Sequence, residues 1–170
     1  MGKNADEGKA RRWAMGDEVT AGDGVPTRIV VGTDGSETAE RAVWKATALA
    51  KAVGAELLVV SAYRNRAPAV PAAGVSLDSG WAAAARSAAE DHTNHAVESA
   101  RSAGVRSASG RAVAGEPAEV LIKIVEDEQA DLLVVGSKGM QSTARFLLGP
   151  IANRVSHKVN CDLLIVETSH

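Results

Sequence analysis

Short continuous apolar runs alternate along this chain with stretches in which apolar residues return every three or four positions. The runs Ile29 to Val31, Leu57 to Val60, Leu132 to Val135 and Leu163 to Val166 are what strands buried on both faces require. A weaker strand is predicted over Val105 to Val113, and the second extends over Glu56 to Tyr63. Between them, Ala39, Val43, Ala46, Leu49, Ala50 and Val53 keep helical spacing, with Ser36 placed to cap the helix and Gly54 to end it. An Ala-rich helix is predicted from Trp81 to Ala103, with Ala85, Ala89, Ala96, Val97 and Ala100 on one stripe and His92 inside it. Glu116 and Pro117 open a third helix whose buried face is Val120, Leu121, Ile124 and Val125, and a fourth is expected from about Pro150 to Lys158. The acidic run Glu126, Asp127, Glu128 reads as a solvated face. Strands that alternate with helices in this way imply an α/β fold, a doubly wound parallel sheet with helices on both faces.

Ligands of such sheets bind beyond the carboxyl ends of the strands, where the strand order reverses. Two loops fall there. The first carries Thr33 and Asp34; the Asp reads equally well as a turn former and as a partner for a base or ribose. The second leaves the strand at Gly136 and contains Gly139 and Gly149, the last opening a helix. Glycines admit positive φ and close backbone approach, and a first helical turn offers unpaired N–H donors, a combination suited to phosphate. Residues 64–80, rich in Pro, Ala, Gly and Ser, read as a long mobile loop over the crevice. Residues 1–26 hold too few apolar anchors to fold and read as a disordered leader, leaving a single domain over 27–170.

Composition narrows the function classes. A net charge of −2 argues against nucleic-acid or anionic-membrane binding, and no apolar run approaches the roughly 20 residues of a membrane span. A cytoplasmic location is expected. Cys161 is the single cysteine and reads as structural and reduced. Asp91 and His95 have the i, i+4 spacing of paired metal ligands, but nothing near them completes a site, so a solvated helix face is the preferred reading.

Neither a P-loop nor a Gly-x-Gly-x-x-Gly turn is present. The spacing of Gly136, Gly139 and Gly149, however, resembles the ATP-binding loop of the universal stress protein family. The resemblance extends to Val30 through Ser36 and to Cys161 through Val166, and covers about Thr27 to Thr168. It implies a five-stranded parallel sheet of order 3-2-1-4-5 and a homodimer joined along the last strand. It places adenine near Asp34 and Ala62, and ribose and phosphates on Gly136, Gly139, Gly149, Pro150 and Ile151, with Thr33 and Ser137 in the same loops. The family pattern has Ser or Thr after Gly149; Pro150 supplies neither a hydroxyl nor an N–H. Lys138 and Arg145 are the cations that could compensate.

The resemblance therefore implies an ATP-binding, or more broadly adenine-nucleotide-binding, stress regulator, with Mg²⁺ as a possible companion of ATP. Two alternatives stay open: a slow ATP hydrolase or phosphotransferase on the same pocket, and a nucleotide-free dimeric scaffold. Phosphoryl transfer needs a metal anchor and a group that positions the nucleophile, for which Asp34 and Ser142 or Thr143 are the candidates. Binding without efficient turnover is the preferred reading.

Overall fold

Ser36, in extended backbone at φ −78° and ψ 156°, accepts the Ala39 N–H on its hydroxyl, and helix α1 (Glu37–Val53) follows until Gly54 turns left-handed at φ 74°. The cap and the stop are where the sequence places them. The computed structural model describes residues 24–65, 80–137 and 148–167. Around α1 lie strands β1 (Arg28–Gly32) and β2 (Glu56–Tyr63), helix α2 (Gly80–Ser102), β3 (Ala108–Ala114), α3 (Pro117–Asp127), β4 (Leu132–Gly136), α4 (Pro150–Ser156) and β5 (Asp162–Val166). The strands form one parallel sheet in the order β3-β2-β1-β4-β5. Order and class are those the sequence implied.

Alternation within each strand divides the core. Ile29, Val31, Leu57, Val59 and Val134 face Ala42, Ala46, Ala96 and Val97 of α1 and α2. Val30, Leu58, Val60, Leu133 and Val135 face Leu121, Ile124, Val125 and Val155 of α3 and α4. Both faces of the central strands are thus dry, and Ile29, Val30 and Val31 are fully buried. Each such side chain contributes about 1.5–3 kcal/mol.

Three expectations needed revision. The third strand begins at Ala108 and not at Val105, because the Val105 N–H bonds back to Ala100 in the turn that closes α2 while its side chain fills the core. The fourth helix stops at Ser156, where the N–H groups of Lys158 and Val159 both return to the Val155 carbonyl. The acidic run is not simply solvated. Lys123 pairs with Asp127, and Glu128 draws in Arg111 of β3 at 2.8 Å and Arg28 of β1 at 3.7 Å, two cations from the strands that flank β2.

The amino ends of the strands are closed by Asp131. Its Oδ2 accepts the Thr27 N–H at 2.7 Å, the Thr27 hydroxyl at 2.7 Å and the Arg28 N–H at 2.9 Å. Arg28 in turn donates to Glu56 and to the Glu128 carbonyl. The crevice of such a sheet lies at the opposite, carboxyl end. No helix among the described residues is long and apolar enough to cross a membrane.

Candidate functional site

Beyond the carboxyl end of β1 the chain makes a tight, internally bonded turn. The Thr33 N–H donates to the Val60 carbonyl at 2.9 Å and so ties the turn to β2. Asp34 Oδ1 accepts the Ser36 N–H at 3.1 Å and the Ser36 hydroxyl at 2.5 Å, while the Thr33 hydroxyl accepts the Gly35 N–H at 3.2 Å. Asp34 is therefore a turn former, and it is exposed at the mouth of the crevice. Ala62, half-buried near the end of β2 opposite Val113, leaves a small side chain on the adjacent strand.

The second loop starts at the end of β4, next to β1 in the sheet. Gly136 still belongs to the strand, and Ser137 donates its N–H to Val166 at 2.7 Å. The Ser137 side chain is buried and its hydroxyl donates to Glu167, so it belongs to the β4–β5 junction. The Gly149 N–H returns to the Ser137 carbonyl at 2.7 Å, which clasps the two ends of the intervening segment together. Lys138, Gly139 and Arg145 lie outside the described residues.

At the start of α4, Gly149 is the cap at φ −61° without a side-chain cap bond, and Pro150 takes the first helical position, where its missing N–H breaks no helical bond. Ile151 is half-buried and packs against the core. Positive φ was expected of this loop's glycines. Gly149 does not adopt it and Gly136 is extended; in the neighbouring β1 turn it is Gly35 that is left-handed, at φ +74°. The switch from strand to helix at Gly149 needs no left-handed residue, whereas the reversal after Asp34 does.

His92 belongs to this end of the molecule as well. A Cβ built on Gly35 would stand 2.4 Å from both Cδ2 and Nε2 of His92, so the imidazole of α2 lies directly on the glycine. Reading along α2 alone hides this, because the stripe explains His92 as a core-edge residue. The one local signal is that the stripe is otherwise made of small residues. Cys161 is half-buried; burial pushes its thiol above the ordinary range, and Sγ donates to the Asp162 carbonyl, as expected of a structural cysteine.

These features define a class: an open α/β sheet whose switch point lies between β1 and β4, with a turn and a glycine-bounded loop side by side. The profile of the universal stress protein family matches residues 26–167. The chain is 36% identical over 141 residues to a universal stress protein of Mycobacterium tuberculosis, covering 83% of this chain and 96% of that one. This protein belongs to the universal stress protein family. Among solved structures, a universal stress protein in complex with cAMP is 32% identical with a TM-score of 0.64, over 85% of this chain and 99% of the other. The universal stress protein UspA from Lactobacillus plantarum, at 22% identity and a TM-score of 0.72 over 82% and 97%, shares the fold.

Proposed function

We propose that this protein binds an adenine nucleotide across the β1 and β4 loops and acts as a homodimeric, nucleotide-responsive binding module in a stress response. The observation that carries the reading is the juxtaposition of the Thr33–Ser36 turn with the Ser137–Gly149 clasp on adjacent strands at the switch point. Asp34 and Ala62 are positioned for the base and ribose. Gly136, Gly149 and the start of α4 are the described groups proposed for the phosphate; Lys138, Gly139 and Arg145 are assigned to it from the sequence alone. The cAMP complex of a relative 32% identical supports an adenine nucleotide as the ligand class.

ATP, with or without Mg²⁺, and cAMP differ in what they ask of the phosphate end. ATP would need the full glycine loop and its cations; cAMP carries a single phosphate charge and tolerates the loss of the donor that Pro150 removes. Calorimetric titration of the full chain with ATP, Mg·ATP, AMP and cAMP decides between them. Saturable binding of one of these below about 100 µM, a free energy of roughly 5.5 kcal/mol, supports the reading. No heat and no competition with any of the four at millimolar concentration would leave the scaffold as the function of the fold.

A further inference from the structure

We propose that His92 is a positioning residue of the nucleotide site, a wedge from α2 that holds the Thr33–Ser36 turn in the shape that presents Asp34; this rests on the nucleotide reading above. The turn's own bonds, from Gly35 to Thr33 and from Ser36 to Asp34, all lie within four residues and fix its internal shape. They do not fix where the turn sits relative to the rest of the sheet end. Thr33 is held by Val60 at one side, and Ser36 leads into α1 at the other. At the apex, Gly35 has no side chain, and the space that one would fill is taken by the His92 ring. Asp34, next to the apex, is exposed, while His92 against Gly35 is half-buried, so the ring links the turn to α2.

A wedge needs a rigid mount, and α2 has one beside His92. Thr93 is buried against Gly110 of β3, where a Cβ would come within 2.9 Å of the Thr93 Cβ. Two turns further on, Arg101 donates to the Ala108 carbonyl at 2.7 Å. The helix is thus seated on β3 at the residue that follows His92, and its placement reaches the β1 turn through one imidazole. Sites whose supporting residues are locked in this way lose less affinity to wandering geometry.

The contact is one of shape, so a flat ring should serve whether or not it carries nitrogen. His92→Ala should weaken binding of the best of ATP, AMP and cAMP at least fivefold with little change in melting temperature, and His92→Phe should restore it to within about twofold. In an Asp34→Ala background, His92→Ala should add less than twofold, because the wedge acts through that residue. In ligand-free protein, amide exchange at Gly35 and Ser36 should speed up in His92→Ala and return to the parent rate in His92→Phe. Unchanged exchange in His92→Ala overturns the wedge whatever the protein binds. Faster exchange with unchanged affinity overturns the positioning role alone. Failure of Phe to rescue affinity overturns it in favour of a direct imidazole contact with the ligand. A parent protein that binds none of the three nucleotides removes the nucleotide reading, and the positioning role with it.

Discussion

Ser137 gives its backbone N–H to the carbonyl of Val166, 2.7 Å away, so the root of the second loop hangs on the last residue of the edge strand. The carbonyl of the same residue takes the Gly149 N–H, also at 2.7 Å. One peptide group on either side of Ser137 therefore ties together β5, β4 and the start of α4. Whatever packs on β5 acts on the frame of the proposed phosphate loop.

That frame makes β5 a natural place to test assembly. Leu163 through Val166 are all half-buried, with apolar surface left over on an edge strand. Ile165→Lys should convert a dimer into a monomer in sedimentation velocity at micromolar concentration while the melting transition stays cooperative. A monomeric parent protein in the same experiment sinks the proposed dimer.

Pro150 sits at the first position of α4, exposed, where Ser would add a hydroxyl and an N–H. A hydrogen bond to a charged group contributes about 1.5–3 kcal/mol. Pro150→Ser should therefore tighten ATP binding by at least about tenfold with little change in stability. Equal affinities in calorimetry would show that position 150 touches no phosphate.

Gly35 and Gly54 offer a matched comparison, since both have φ +74° but different surroundings. Nothing lies within 4 Å of a Cβ at position 54, while the same atom at position 35 meets His92 at 2.4 Å. Gly54→Ala should cost about 1 kcal/mol in urea unfolding, the strain of a left-handed Ala. Gly35→Ala should cost about 1–3 kcal/mol more, because the ring or the turn must move. Equal costs would show that the imidazole gives way freely.

Asp131 provides the pH dependence. The Thr27 hydroxyl, the Arg28 N–H and the Thr27 N–H hold its carboxyl below the usual carboxylate range. A folded pKa below the unfolded value of about 3.9 means that the stabilisation is complete well above pH 4 and is lost as pH falls through the folded pKa. Asp131→Ala should lower the melting temperature by about 3–6 °C at pH 7. The gap should close progressively below about pH 4. A gap that stays constant from pH 7 down to about pH 2.5 would assign the effect to packing and not to the charge.

Most element ends could be read from the chain because they depend on short-range signals, whereas the strand order came from the family resemblance. Ser36 and Gly54 bound α1 through their own backbone and hydroxyl, and the apolar runs of β1, β2 and β4 have no use except burial on both faces. Glu128 was harder, since its partners Arg28 and Arg111 are distant in sequence and meet it only after the sheet has formed. His92 was hardest. Its contact is with an absent side chain, and nothing in the pattern of α2 shows which glycine it covers.

The two edges of the sheet are not alike. β3 reads Ala-Ser-Gly-Arg-Ala-Val-Ala, largely exposed, with Arg111 drawn away by Glu128. β5 reads Asp-Leu-Leu-Ile-Val and is half-buried along its apolar length. A molecule with two adhesive edges can add copies without limit and grow into a fibre. With one, the symmetric pairing proposed for β5 would use up the adhesive edge of both copies, and assembly would stop at two.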